Sequence, residues 1–219
     1  MVLSDDVARF VRATGPEHTP VQESMAAFAE RNEFPIIGPD AGGVLRHLAR
    51  LTDAERVFEF GSGFGYSASW VLRGGADHVV LTEFDEDELR KGESFLAEAG
   101  LAERATFELG DAVETVDDHP GPFDVVLVDH QKHRYAEAFA AVREKIPAGG
   151  VVVADNVMRG SIDFDGLVAH VDDGVPLPDD AGKETVGIAE YLRTVRADDT
   201  FETSVLPVGS GLAVSVRTE

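Results

Sequence analysis

The stretch Val57-Phe58-Glu59-Phe60-Gly61-Ser62-Gly63-Phe64-Gly65-Tyr66-Ser67 joins a short apolar run to a helical pattern through three alternating glycines. Glycine permits the positive dihedrals and the close backbone approach that a nucleotide-like ligand needs at the carboxyl end of a strand. Downstream, Glu83 ends the next apolar run, 22 residues after Gly61, where an acid can bind both hydroxyls of a ribose. A glycine turn alone is weak evidence; strand, turn, helix and acid together are strong.

The runs from Val57 to Phe60, His78 to Glu83, Ala105 to Glu108, Phe123 to Val128 and Val151 to Ala154 read as strands. Helical patterns separate them at about Tyr66 to Arg73, Asp85 to Ala99, Ala112 to Val116 and Tyr135 to Ile146. Strands alternating with helices of this length imply parallel pairing through right-handed crossovers, hence a doubly wound α/β sheet. Three helical stretches come first, Asp5 to Thr14, Val21 to Asn32 and Asp40 to Leu51, with Pro20 and Pro39 where helices begin. They make a helical preface over 1–52 in front of an α/β core over 53–219. A last helix from Glu184 to Arg196 precedes two strands, Phe201 to Leu206 and Leu212 to Arg217, joined by Pro-Val-Gly-Ser-Gly. That pair reads as an antiparallel hairpin closing one edge. With no repeat and no second core, 1–219 is expected to be one domain.

Composition prunes the chemistry. The 219 residues carry 41 acidic and 19 basic side chains, a formal charge of -22, and no cysteine. Disulfides, thiolate metal sites and cysteine nucleophiles are therefore excluded, and any cofactor must be held by oxygen, nitrogen or backbone groups. Nucleic-acid binding rests on Lys and Arg neutralising phosphates, so a chain this acidic disfavours it. The basic residues divide into 15 Arg and only 4 Lys, and the charge imbalance suits a high-salt, haloarchaeal type of cytoplasm. An acidic mesophilic enzyme is the plainer alternative. No segment has the about 18 continuous apolar residues of a membrane span. Asp5 and Asp6 stand where a leader would be positively charged. The expectation is a soluble cytoplasmic protein.

Spacing selects the ligand of the glycine turn. A dinucleotide fingerprint places glycine three residues after its second one, and that place holds Tyr66. The G-x-G-x-G pattern preceded by Glu59 instead resembles motif I of class I S-adenosylmethionine-dependent methyltransferases. Such a ligand has no pyrophosphate, so the helix N-terminus would serve a methionine carboxylate, with Ser67 placed to donate a hydrogen bond.

Two further strand ends carry oxygen donors: Val128-Asp129-His130-Gln131-Lys132-His133-Arg134-Tyr135 and Ala154-Asp155-Asn156. In a doubly wound sheet these ends face the crevice of the glycine turn. Asp129, Asp155 and Asn156 can therefore converge. Three oxygen donors favour a hard divalent cation, Mg²⁺ first, with Mn²⁺ and Ca²⁺ as alternatives. Such an ion keeps open positions, and two adjacent ones suit a vicinal diol.

Together with Glu59 to Ser67, Glu83, Gly110-Asp111-Ala112 and Leu206-Pro-Val-Gly-Ser-Gly-Leu212, these segments resemble the cation-dependent catechol and caffeoyl-CoA O-methyltransferase family. The resemblance is specific at motif I and the two oxygen-donor segments and loose over the first 50 residues. It implies metal ligation by Asp129, Asp155 and Asn156 and ribose binding by Glu83. Glu59, Gly61, Ser62, Gly63 and Ser67 would surround the methionine half of the cofactor, while Asp111, Ala112 and His130 border the adenine. Lys132 matches the family's catalytic lysine. Its chemistry is sensible, because a nearby divalent cation disfavours the ammonium form and turns the amine towards a base.

The implied activity is methyl transfer from S-adenosylmethionine to one oxygen of a catechol-like or other vicinal-dioxygen small molecule, and a homodimer is compatible with it. Gln131 stands where the animal catechol enzymes carry tryptophan. Candidates for the substrate rim are Met158, Arg159, Tyr135, Ile36-Ile37-Gly38 and the loop from Gly174 to Gly182. His133 is an alternative base. Rival readings are an RNA O-methyltransferase acting on a hydroxylated wobble uridine, using Arg134, Arg143 and Arg159, and a non-catalytic cofactor-binding module. A nicotinamide dehydrogenase is disfavoured by the glycine spacing.

Overall fold

Strands covered by helices on both faces carry continuous apolar runs instead of alternation, and Val125-Val-Leu-Val128 and Val151-Val-Val-Ala154 follow that rule. The computed structural model describes residues 3–219; Met1 and Val2, the first residues of the expected preface, lie outside the described residues. The preface consists of α1 (Asp5–Thr14), α2 (Pro20–Arg31) and α3 (Gly38–Leu51). There follow β1 (Arg56–Phe60), α4 (Tyr66–Gly74), β2 (His78–Glu83), α5 (Glu86–Glu98), β3 (Ala105–Leu109), α6 (Ala112–Thr115), β4 (Val125–Val128), α7 (Tyr135–Val142) and β5 (Val151–Ala154). The chain ends with α8 (Phe164–Asp172), α9 (Lys183–Arg196), β6 (Phe201–Leu206) and β7 (Leu212–Arg217).

These strands form one seven-stranded sheet in the order β3-β2-β1-β4-β5-β7-β6. The first five run parallel, and β7 pairs antiparallel with both β5 and β6. The doubly wound sheet with a C-terminal antiparallel hairpin is thus as expected. Alternate strand residues feed two cores. Val57, Val79, Leu81, Val125 and Leu127 pack with Met25, Leu45 and Trp70 on one face. Phe58, Phe60, Val80, Val126 and Val128 pack with Tyr135, Phe139, Ile188 and Tyr191 on the other.

The preface lies against the helix that follows the glycine turn. His18 Nε2 is 2.7 Å from Tyr66 Oη, and Gln22 Nε2 donates to Ser69 Oγ at 2.9 Å. Thr19 and Gln22 form a capping box around Pro20, which fixes where α2 starts. The winding reverses between β1 and β4, so the crevice opens at their carboxyl ends.

Four local expectations are corrected. Strand β4 begins at Val125, because the Phe123 N–H donates to the Lys145 carbonyl and the Asp124 carboxylate accepts from the Glu55 and Arg56 N–H groups. Helix α7 stops at Val142 and tightens into a 3₁₀ turn, Arg143–Lys145, as Arg217 Nη1 takes the Arg143 and Ile146 carbonyls. Helix α6 is a single turn that also continues as 3₁₀. Helix α8 was not expected. Of its residues only Leu167 is fully buried, and Val168 and Val171 face outward, so its apolar spacing carries little signal. Among the described residues, no helix is long and apolar enough to cross a membrane.

Candidate active site

The crevice holds a cavity of about 510 Å³ whose walls include Gly61, Ser62, Gly63 and Ser67 after β1, Glu83 at the end of β2, Asp129 to Lys132 after β4, and Asp155 and Asn156 after β5. Its volume suits a small cofactor with a small substrate. A second cavity of about 150 Å³ adjoins it, lined by Glu83, Asp111, Ala112, His130 and Arg134. Gly61, Glu83 and His130 border both. The topology therefore gathers all but one of the expected site residues at the two cavities.

The exception is Glu59, which lies behind the wall. It is 2 % exposed, and its Oε1 accepts from the Ser67 hydroxyl while Oε2 has no partner. The expected donation from Ser67 to a ligand is corrected by this bond, since the hydroxyl proton is engaged by Glu59. Burial, opposed by that hydrogen bond and reinforced by Glu83, pushes the Glu59 carboxyl up to about 8. A raised carboxyl binds its proton more tightly in the folded state, so its contribution to stability is full below the ordinary value of 4.5 and is lost as pH climbs towards 8. Glu59→Gln, which cannot ionise, is expected to gain thermal stability relative to the parent between these limits. Parallel thermal melts at both pH values would show the gap widening; an unchanged gap would mean that Glu59 is solvated.

Glu83, at the end of β2, is fixed by backbone donors on both carboxylate oxygens. Its Oε2 accepts from Gly63 N–H at 2.9 Å and its Oε1 from Phe84 N–H at 2.8 Å and Asp85 N–H at 3.2 Å, tying β2 to the glycine turn. Asp111 caps α6 through Val113 N–H and receives Arg134 Nη1 at 2.6 Å, which holds its carboxyl below the usual range. His130 lies nearly parallel to Tyr135, ring centroids 5.5 Å apart. Neither of its ring nitrogens has a hydrogen-bond partner. Burial, with Arg134, drives this imidazole down to about 4, so it is neutral, with one nitrogen a donor and the other an acceptor.

Opposite lie two carboxylates. Asp155 is 1 % exposed with an unpartnered Oδ1, and burial raises it to about 6 against the Asn156 N–H and the Lys132 charge. Asp129 is raised well above the carboxylate range, first by desolvation and then by Asp155, with Lys132 opposing. Asn156 completes the group in a left-handed conformation, φ +57, which Asn tolerates better than most residues. Among the described residues, no three His, Cys, Asp or Glu side chains gather as a metal-binding group; the expected donors are two carboxylates and an amide.

The rim differs from expectation. Ile36 and Ile37 line the cavity, but Met158, Arg159, Tyr135 and the loop from Gly174 to Gly182 do not. Tyr135 is buried beneath the site, where its hydroxyl donates to the Asp155 carbonyl at 3.2 Å. Met158 is turned against Gly211. The wall instead includes Phe34, whose ring meets Phe64 edge-on at 5.0 Å, together with Glu88, Gly160, Ser210 and Glu184. Glu88 is pushed up to about 7 by burial, Glu83 and Asp85. Phe34 adjoins the Ile36-Ile37 segment, the one signal that could have drawn attention to it; Glu184 carried none.

The O-methyltransferase family model matches residues 17–218. The chain belongs to the O-methyltransferase family. Among curated relatives of this O-methyltransferase is a catechol O-methyltransferase of Mycobacterium tuberculosis, 31% identical over 173 residues that make up 77% of each chain. A catechol O-methyltransferase of Niastella koreensis is 30% identical over 129 residues, 56% of this chain and 58% of that one. Among solved structures, the O-methyltransferase TomG from Streptomyces achromogenes, involved in tomaymycin synthesis and solved in complex with SAM, superimposes with a TM-score of 0.82. The two are 25% identical, and the alignment covers 98% of this chain and 96% of that one.

Proposed function

We propose that this O-methyltransferase transfers the methyl group of S-adenosylmethionine to one oxygen of a catechol-like or other vicinal-dioxygen small molecule, with a divalent cation at Asp129, Asp155 and Asn156. The observation that carries the reading is a pair of carboxylates at neighbouring strand ends, one with an unpartnered oxygen, sharing a cavity with Lys132 and the glycine turn. Two desolvated acids, with Asp155 raising the proton affinity of Asp129, fit a hard dication. The catechol O-methyltransferase names of its relatives and the SAM bound to TomG support the same reading.

Each residue has a task in this mechanism. Glu83 takes the ribose hydroxyls, and His130 with Asp111 and Ala112 borders the adenine in the smaller cavity. The amides after β1 face the methionine half, and Glu59 holds Ser67. A bound Mg²⁺, or Mn²⁺ or Ca²⁺ in its place, supplies the acidification of the substrate hydroxyl. With such an ion in place, Lys132 Nζ would accept the proton from that hydroxyl; the freed oxygen then attacks the sulfonium methyl in line, the S–CH3 bond breaks, and the sulfur leaves as the neutral thioether S-adenosylhomocysteine. Phe34, Ile36 and Ile37 exclude water over the acceptor.

Purified protein in molar KCl, given labelled S-adenosylmethionine and a catechol panel or bulk tRNA, each with and without EDTA, tests this. Transfer to a catechol that EDTA stops is expected. Transfer that EDTA leaves untouched would overturn the metal reading, and transfer to tRNA alone would favour an RNA substrate. The charge of -22 underlies a second proposal, a cytoplasmic protein adapted to high salt, acting as one domain. Its thermal midpoint should rise with KCl, and equal stability in dilute buffer would sink that reading.

A further inference from the structure

Lys132 opens a three-residue 3₁₀ turn, Lys132–Arg134, whose N-cap Gln131 makes no side-chain capping bond. Its far end is held by the Arg134 N–H to the Gln131 carbonyl and by Arg134 on Asp111 and Glu137; its Lys132 end is held from α9, 52 residues further along the chain. Glu184, in the first turn of α9, accepts the Lys132 N–H on Oε2 at 2.9 Å, and its Oε1 stands 3.2 Å from His133 Nδ1. One turn on, Gly187 meets the same backbone so closely that a Cβ there would lie 2.5 Å from the Lys132 carbonyl oxygen and 2.4 Å from His133 Cα. The Glu184 side chain is mostly buried and borders the main cavity. Helix α9 thus grips the peptides on both sides of Lys132, while the lysine stem runs past Gly160 towards the two carboxylates.

We propose that Glu184 is a positioning residue for Lys132, an inference that rests on the reading of Lys132 as the base. A lysine stem has four rotatable bonds, so its aim depends on a fixed backbone start. A 3₁₀ turn without its own cap cannot provide that alone. The Glu184 carboxylate does so through a charge-assisted bond to the one N–H that precedes the Lys132 side chain, and Gly187 keeps α9 near enough to make it. Glu184 itself moves no proton and touches no reacting atom.

Four proteins decide it: Glu184→Leu, Glu184→Gln, Lys132→Met and Lys132→Met/Glu184→Leu, with kcat, S-adenosylmethionine affinity and thermal midpoint measured on each. Glu184→Leu should lower kcat about 10- to 100-fold, as loss of a supporting contact does, while cofactor affinity stays within about twofold. Glu184→Gln keeps an acceptor for the Lys132 N–H and should restore kcat to within about threefold of the parent. In the Lys132→Met background, Glu184→Leu should cost nothing more. Equal damage by Gln and Leu, additivity in the double variant, or a fall of affinity and melting in step with kcat would overturn the proposal. Full activity of Glu184→Leu beside an inactive Lys132→Met would overturn the positioning role and spare the base. A Lys132→Met enzyme with normal kcat would remove the base reading, and this proposal with it.

Discussion

Asp155→Ala is expected to lower methyl transfer by roughly 10³-fold, the rate equivalent of about 4 kcal/mol, while S-adenosylmethionine still binds within about threefold of the parent. The asymmetry follows from position. Asp155 follows β5, one strand beyond β4 and two beyond the glycine turn, and it makes no hydrogen bond to Glu83, His130 or the amides after β1. Its loss removes one of the two carboxylates to which the proposed dication would bind, and leaves the walls assigned to the cofactor in place. Calorimetry with S-adenosylmethionine and initial rates with a catechol, both over a Mg²⁺ series, would separate the two effects. The parent should melt higher as Mg²⁺ is added, and the variant should not respond. Without cation, the variant should lose little stability above pH 6, since the parent there bears the cost of ionising a desolvated acid whose carboxyl is raised to about 6. If cofactor affinity collapses along with activity, Asp155 belongs to the cofactor wall and the crevice has been divided wrongly.

The parts of the fold that sequence reveals are those set by neighbours along the chain. Strands β2 and β5 stand where their apolar runs placed them, because helices on both faces of the central strands demand unbroken runs, and the terminal hairpin stands where its glycine-containing turn placed it. The glycine turn is equally local. What stayed hidden depends on contacts made only once separate elements have packed. The Ser67 hydroxyl is engaged by Glu59, eight positions earlier and across the turn from strand to helix. Arg217 decides where α7 ends from 74 positions away. Phe34 becomes part of the cavity only when the preface folds over β1, and Glu184 reaches Lys132 only when α9 docks on the turn after β4. Helix α8 was illegible for another reason: a helix that buries a single residue leaves no stripe to read.

Gly61→Ala should be strongly damaging to cofactor binding, for two additive reasons. Gly61 adopts φ +79, and an L side chain there costs about 1–2 kcal/mol. More importantly, the new Cβ would stand 2.8 Å from the Asp129 carbonyl oxygen and 3.0 Å from His130 Cα, both backbone atoms that cannot swing aside. The Phe60 carbonyl accepts the Asp129 N–H at 2.9 Å, so the two strand ends are laced together at the point of the clash. Separating them shifts the amides assigned to the methionine half, the His130 ring and the start of the Lys132 turn together. We expect S-adenosylmethionine affinity to fall at least about 100-fold, equivalent to about 2.7 kcal/mol, and the thermal midpoint to drop by roughly 5–10 °C. Gly75→Ala separates strain from clash. Gly75, at the end of α4, has φ +115 but no atom within 4 Å of its missing Cβ. That variant should lose a few degrees of melting temperature and keep its cofactor affinity. If Gly61→Ala instead melted lower with affinity unchanged, as expected for Gly75→Ala, the contact between the two strand ends would not shape the cofactor site.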